Sequence, residues 1–285
     1  MLKNFYKYQS LGNDFILLDW YKKPETFVEQ ILNEQNLQDL VVKICQPHFG
    51  IGADGVLILK GNTNARVAEM LIFNKDGSRA EICLNGLRCV AQHLFMHYNF
   101  PEKFQIKAGQ RIIECFVQNS KDNPEQVIVT NKIGKGEYLG PKSIKISTCQ
   151  ISGYCASIGN PHFIVFDKKD INWLQSFGSE IENHKEFETS TSSKTNVEFV
   201  WQDKSSTSIK KFGSIVYERG CGITLACSSG AASISTVLLK LGLVGKNEEF
   251  QISMPGGTIK CSLDESEDIT LCTTSNVVFS GILGR

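Results

Sequence analysis

Phe104-Gln-Ile106, followed by Ile113 and Cys115, returns without any gap as Phe250-Gln-Ile252, followed by Ile259 and Cys261. Upstream, Leu11-Gly-Asn-Asp-Phe-Ile-Leu-Leu-Asp19 returns as Ile158-Gly-Asn-Pro-His-Phe-Ile-Val-Phe-Asp167, with one residue inserted. Between these anchors each copy carries a cysteine ahead of a helical pattern. Cys83-Leu-Asn-Gly86 lies 70 residues after Asn13, and Cys227-Ser-Ser-Gly230 lies 67 after Asn160. Two copies of this length are too few to stack as a solenoid, so the repeat predicts two similar lobes. A cleft between such lobes would receive one thiol from each side. That suits a reaction in which a proton leaves one face of a carbon and another returns to the opposite face.

The 285 residues suffice for one large or two modest domains, each with its own core. Hydrophobic content of 41% and charged content of 21% are those of an ordinary globular chain. Thirty basic and thirty acidic residues leave no net charge, which gives no pull toward nucleic acid or an anionic membrane. The start, Met1-Leu-Lys-Asn-Phe-Tyr-Lys, reads as a strand without the apolar core of a signal peptide. The apolar stretch Ile234 to Val244 is broken by Lys240 and Gly242 and is too short to span a bilayer. A cytoplasmic enzyme is the expectation. The ten cysteines do not form the spacing of a secreted disulfide framework. Cys45, Cys89, Cys115, Cys149, Cys155, Cys261 and Cys272 sit among apolar or strand-like neighbours and read as inert core packing.

Short β-rich runs dominate: Phe15–Asp19, Val56–Lys60, Ala68–Phe73, Arg111–Gln118, Val127–Asn131, Phe163–Asp167, Asn196–Trp201, Gly213–Tyr217, Thr258–Leu263 and Thr270–Thr273. A helix follows each key cysteine. The first carries the stripe Leu87, Val90, Ala91, Leu94, Phe95 and Tyr98 and stops at Asn99 and Pro101; the second carries Ala231, Ile234, Val237, Leu238 and Leu241 and stops at Gly242. A further helix is expected over Pro24 to Cys45. Thr189–Thr195 and Ser205–Ser208 read as loops, and a lobe boundary is expected near Lys121-Asp-Asn-Pro124.

Cys83 and Cys227 each precede a helix start, where exposed backbone N–H groups and the positive end of the dipole favour an anion. A thiol there is expected to ionise more easily than a free one, and a carboxylate can dock on the same amides. Asn13 and Asn160 are repeat-equivalent, although Gly-Asn is also a common turn. Asn74, in Phe73-Asn-Lys-Asp-Gly-Ser78, is by itself a turn signal. Glu218 and Arg219 follow a strand ending at Tyr217. Beside a cleft they offer sites for an ammonium and a carboxylate, the two ends of an amino acid. A zinc site from Cys83, Cys89, His93 and His97 is disfavoured: the second copy has Ser233 in place of Cys89 and no histidines follow. No dinucleotide fingerprint or P-loop is present, so no cofactor is expected.

These residues resemble the diaminopimelate epimerase family nearly end to end. The matching segments are Leu11-Gly-Asn-Asp-Phe15, Gly50-Ile-Gly-Ala-Asp54, Phe73-Asn-Lys-Asp-Gly-Ser78, Cys83-x-Asn-Gly-x-Arg-Cys89, Gly159-Asn-Pro-His162, Thr195-Asn-Val197, Tyr217-Glu-Arg-Gly220 and Thr224-Leu-Ala-Cys227. The resemblance implies an α/β (α+β) fold of two pseudo-symmetric lobes, 1–123 with 274–285 returning to it, and 124–273. Each lobe would be a twisted, mostly antiparallel sheet wrapped around a central helix, with the active site in the inter-lobe cleft. It implies a pyridoxal-independent isomerase that interconverts LL- and meso-diaminopimelate on the path to lysine and peptidoglycan, acting as a homodimer. Carried over, Cys83 and Cys227 would be the acid/base thiols. Glu218 and the carbonyl of Arg219 would hold the reacting ammonium. Asn74, Asn160, Asn196 and the Arg219 guanidinium would read the distal amino-acid end, with Asn13 lining the pocket. His162 and Glu218 would tune the thiols, and the amides of Leu84, Asn85 and Gly86 and of Ser228 and Ser229 would bind the reactive carboxylate.

Two departures stand out. The family's Cys-Gly-Asn-Gly reads Cys83-Leu-Asn-Gly, and its Cys-Gly-Thr-Gly reads Cys227-Ser-Ser-Gly. Bulky Leu84 is expected to crowd the pocket or shift the amides unless its backbone is accommodated. Gly55 stands where some members place a substrate-contacting glutamine. A racemase of the same superfamily acting on another amino acid, and a catalytically dead amino-acid-binding protein, remain the alternatives.

Overall fold

The computed structural model describes residues 4–24, 26, 36–62, 67–80, 82–121, 123, 126–188, 194–205 and 208–283. The chain forms two compact units, Met1–Asn131 with Thr273–Arg285, and Lys132–Cys272.

Unit 1 contains β1 (Asn4–Ser10), β2 (Asn13–Asp19), α1 (Asn36–Cys45), β3 (Gly55–Asn62), β4 (Val67–Asn74), β5 (Arg79–Ala80), α2 (Leu84–Tyr98), β6 (Lys103–Ala108), β7 (Arg111–Asn119) and the start of β8 (Val127–Lys135). β1 pairs antiparallel with β2, β3 with β4, β4 with β5, and β6 with β7. The pairs β2/β3 and β4/β6 are parallel, and their crossovers carry α1 and α2. A parallel pair needs such a crossover because a tight hairpin reverses the strand.

Unit 2 repeats this order with β9 (Glu137–Lys145), β10 (Gln150–Ser157), β11 (Pro161–Val165), α3 (Ile171–Glu182), β12 (Asn196–Asp203), β13 (Lys210–Glu218), β14 (Gly222–Thr224), α4 (Ser228–Lys240), β15 (Phe250–Met254), β16 (Gly257–Leu263) and the start of β17 (Asp268–Ile282). Its parallel pairs are β11/β12 and β13/β15, joined through α3 and α4. The far part of β17 runs antiparallel to β1, with Asn4 opposite Ile282, in the same place that β9 takes beside β10.

The sequence repeat is a repeat of register. Phe104 faces Cys115 and Ile106 faces Ile113 across β6/β7, while Phe250 faces Cys261 and Ile252 faces Ile259 across β15/β16. These side chains are buried, which explains why the same apolar alternation recurs. Helix α2 is buried from Leu84 to Leu94, polar Arg88, Gln92 and His93 included, with only its last turn reaching the surface, and it touches β1, β2, β3, β4, β6 and β7. Helix α4 is buried likewise over Gly230–Leu238 and touches β9, β10, β11, β12 and β16. A helix closed in on all sides stands inside its sheet. Asn99 ends α2 in the left-handed conformation (φ 50°), with its N–H bonded to Leu94 O.

Some details differ from the sequence expectation. The strand expected over Phe163–Asp167 is Pro161–Val165, because Asp167 N–H turns back to Val165 O at 3.0 Å and ends it. Of the cysteines expected in the core, Cys45, Cys89, Cys115 and Cys261 are buried. Cys155 and Cys272 are half-buried, and Cys149 is exposed at the tip of the β9/β10 hairpin. The helix expected from Pro24 is present over Asn36–Cys45; 25 and 27–35 lie outside the described residues, as do 189–193, 206 and 207 of the expected loops and 122 and 124 at the expected boundary. Among the described residues no helix is long and apolar enough to cross a membrane.

Candidate active site

Each unit presents its cysteine as the N-cap of the buried helix. Cys83 has φ −139° and ψ 114°, and Cys227 has φ −120° and ψ 112°, so both leave extended backbone just before the first helical turn. The glycine three residues on makes room for a buried side chain in each. A Cβ on Gly86 would lie 2.7 Å from Leu57 Cδ2, and one on Gly230 would lie 2.7 Å from Glu198 Oε1.

In unit 1, Asn13 sits beside the sulfur. The Cys83 thiol points to Asn13 Oδ1 at 3.8 Å, and Asn85 Nδ2 donates to the same oxygen at 3.3 Å. Asn13 Nδ2 donates to Asp54 Oδ2 at 2.7 Å. Asp54 is tied in turn to Asp14, whose carboxylate pairs with nearly buried Lys7 at 2.6 Å. Asn85 is held by the fully buried Arg88, whose Nη1 donates to Asn85 Oδ1 at 2.8 Å. Asn74, at the end of β4, donates through Nδ2 to Ser78 Oγ at 2.9 Å and stands exposed. Leu84, the first residue of α2, is 6% exposed and takes a helical backbone rather than a positive φ. The backbone therefore accommodates leucine at this position without left-handed strain.

His93 of the disfavoured zinc reading has polar partners on both ring nitrogens. His93 Nδ1 meets Tyr8 Oη at 3.0 Å and its Nε2 meets Asp19 Oδ2 at 3.1 Å, where Tyr98 also donates.

In unit 2 the Gly230 N–H donates to Cys227 Sγ at 3.3 Å, and Ser229 Oγ lies 3.3 Å from the same sulfur. Asn160 Nδ2 donates to Ser229 Oγ at 3.3 Å, so the two repeat-equivalent asparagines both serve their unit's thiol end. Ser228 is buried in the first turn. The Cys227 thiol also reaches Glu218, whose Oε1 accepts from Thr224 Oγ1. Asn196 is buried, donates to Pro161 O at 2.9 Å and accepts the Arg219 N–H at 2.9 Å, which fixes the turn carrying Arg219. His162 Nδ1 lies 2.6 Å from Glu198 Oε1, both side chains fully buried.

The expectation that a helix start eases thiol ionisation fails at Cys227. Burial pushes this thiol well above its ordinary value, and the negative charges of Glu218 and Glu198 push it further. Hydrogen bonds from Ser229 and the Gly230 N–H oppose the rise without overcoming it. Glu218 is itself raised by burial, against hydrogen bonds from Thr224 and Cys227. Burial and the two carboxylates thus favour the protonated form of this sulfur.

A family model described as diaminopimelate epimerase matches residues 5–135 and 154–279. A diaminopimelate epimerase of Prochlorococcus marinus is 35% identical over 297 aligned residues, covering 99% of each chain. One of Carboxydothermus hydrogenoformans is 35% identical over 286, covering 97% of this chain and 98% of its own. The chain belongs to the diaminopimelate epimerase family. It is an isomerase of that class. The fold alone is shared with a crystal structure of a hydroxyproline epimerase from Agrobacterium vitis, at TM-score 0.70 and 12% identity, covering 99% of this chain and 91% of that one.

Against the diaminopimelate epimerase motifs, two residues gain a place that sequence reading does not give them. Asp54 closes the Gly-Ile-Gly-Ala-Asp segment and orients Asn13. Glu198 stands two residues after Asn196 and reads as one more polar residue in a strand, yet it is 0% exposed. A carboxylate inside the run Asn196-Val-Glu-Phe-Val-Trp201 was its signal, since an unpaired charge does not sit in a core strand.

Proposed function

We propose that this chain interconverts LL- and meso-diaminopimelate by acid/base exchange of the α-hydrogen between Cys83 and Cys227, without pyridoxal. The observation that carries the reading is the cysteine N-cap found in both copies of the repeat, each on a helix buried along most of its length. Inversion through a planar carbanion needs a base on one face and an acid on the other, in opposite protonation states. A thiolate at Cys83 removing the hydrogen while the Cys227 thiol supplies one fits the raised Cys227 value, and the reverse direction exchanges the roles.

The α-hydrogen is a very weak acid, so the developing carbanion must be stabilised through the adjoining carboxylate. The amides of Leu84, Asn85 and Gly86 and of Ser228 and Ser229 are the donors assigned to it. Glu218 and the Arg219 carbonyl take the reacting ammonium, and Asn13 lines the pocket. Asn74, Asn160, Asn196 and the Arg219 guanidinium take the distal amino-acid end, which a simple racemase has no need to hold. The same reading carries a homodimer in the cytoplasm, with no nucleic acid or membrane partner, which light scattering and fractionation check.

The test is α-hydrogen exchange from LL-diaminopimelate into D₂O, with other amino acids alongside. Exchange and inversion confined to diaminopimelate support the assignment. Equal turnover of one-centre amino acids favours a racemase, and binding without exchange favours a binding protein.

A further inference from the structure

The strand registers align the two units residue by residue. Across parallel β2/β3, Phe15 stands opposite Gly55 and Leu17 opposite Leu57; across parallel β11/β12, His162 stands opposite Asn196 and Ile164 opposite Glu198. Leu57 and Glu198 then take the same place beneath the buried helix, each 2.7 Å from the point that a Cβ on Gly86 or Gly230 would occupy. Where unit 1 has Phe15 and Leu57, unit 2 has His162 and Glu198. All four are buried, between 0% and 2% exposed.

Unit 1 therefore shows what this fold requires at the two positions: an aromatic ring and an aliphatic chain. Burying an imidazole and a carboxylate instead costs desolvation, and an apolar pair of similar volume is often as stable or more so. Only half of the pair's hydrogen-bonding capacity is used. His162 Nδ1 and Glu198 Oε1 meet at 2.6 Å, while His162 Nε2 and Glu198 Oε2 have no partner among the described residues. The charge of Glu198 acts on Cys227, which bonds Ser229 at the start of α4 and Glu218 at the end of β13, where Thr224 of β14 also donates. Glu198 Oε1 and Cys227 Cβ both lie within 3.3 Å of the point that a Gly230 Cβ would occupy.

We propose that Glu198 is a positioning residue for the site around Cys227: its Oε1 accepts from His162 Nδ1 and so fixes the tautomer that leaves Nε2 as the unprotonated ring nitrogen. A carboxylate fixes the tautomer in this way wherever it accepts from one nitrogen of an imidazole whose other nitrogen works. The proposal rests on Cys227 being an acid/base thiol.

Two measurements test it. In protein labelled with ¹⁵N-histidine, His162 should give a low-field Nδ1–H signal, lost in Glu198→Gln, whose amide presents either a carbonyl or an NH₂. A wild-type ring protonated on Nε2 alone overturns the proposal. The double variant His162→Phe/Glu198→Leu gives unit 2 the packing of unit 1. It should melt within about 5 °C of wild type or above it and lose roughly a hundredfold in kcat. Wild-type turnover in a folded double variant overturns the proposal. If the double variant does not fold, Glu198→Gln decides: a fall in kcat of about tenfold with KM little changed and an altered pH profile supports it, and an unchanged profile sinks it. Absence of exchange in the wild type would count against the epimerase reading and leave the tautomer result standing.

Discussion

Asn13 Nδ2 donates to Asp54 Oδ2 at 2.7 Å, and that bond decides which end of the Asn13 amide meets Cys83. With the NH₂ group committed to the carboxylate, Oδ1 is the end of the amide that faces the sulfur, where it accepts from the thiol at 3.8 Å. Asp54→Asn removes the constraint, and the amide can turn to offer N–H to sulfur instead. The expected result is a fall in kcat/KM of about tenfold, with its pH profile displaced because the balance between thiol and thiolate changes. Steady-state rates across pH check this, and a variant indistinguishable from wild type would leave Asp54 a loop-holding residue only.

On the proposed mechanism both thiols are needed for inversion but one suffices for proton removal. Cys83→Ala and Cys227→Ala should each abolish epimerisation. The Cys→Ser variants should still eliminate HX from a halogenated substrate analogue, a reaction that asks for one base. Full epimerisation in either alanine variant would rule out the two-thiol mechanism.

Buried thiols make the folded chain sensitive to alkali. Burial raises Cys45 to about 11 and Cys89 and Cys115 to about 12. In the unfolded chain these thiols lose their protons near 9.0. Below that value both states are protonated and the contribution to stability is fully present. As pH rises from 9.0 toward 11 and 12, the unfolded chain releases protons that the folded chain keeps, so unfolding is increasingly favoured. The urea midpoint should fall steadily above pH 9, and Cys89→Ala should fall less steeply. Parallel slopes for the two proteins would show that Cys89 adds nothing to the effect.

How much of this was legible depends on what each residue spends its pattern on. The hairpins β6/β7 and β15/β16 are readable because Phe104, Ile106, Ile113 and Cys115 alternate inward and recur unchanged in the second copy. The two cysteine-capped helices announce themselves by apolar stripes with a left-handed stop. β9 does not, since only Ile144 of its nine residues is buried and the rest reads as polar linker. α3 is signalled weakly, by Asp170 as its cap and by Leu174 and Ile181 as its buried apolar residues. The thiol sites were legible as repeat-equivalent motifs. The state of Cys227 was not: burial raises it first, Glu218 next and Glu198 after that, and neither the burial nor the nearness of Glu198 on β12 is displayed by sequence spacing. Leu84 shows the opposite case, a departure from the family pattern that is plain in the sequence while its negative φ is not.

Leu84 replaces the family glycine at the first helical position after Cys83, and its backbone is helical with φ negative, so no left-handed strain is stored there. The residue is 6% exposed, while its N–H belongs to the first helical turn, whose donors have no intrahelical partner and where a carboxylate would dock. Leu84→Gly should therefore leave the amide in place and change kcat/KM for diaminopimelate by less than about tenfold, or 1.4 kcal/mol of transition-state stabilisation. It should also lower stability by about 1–3 kcal/mol, from lost burial and the greater backbone freedom of glycine. Paired urea melts and steady-state rates separate the two effects. A rise in kcat/KM of several orders of magnitude would mean that leucine blocks the natural site, and the binding-protein reading would then account better for this chain.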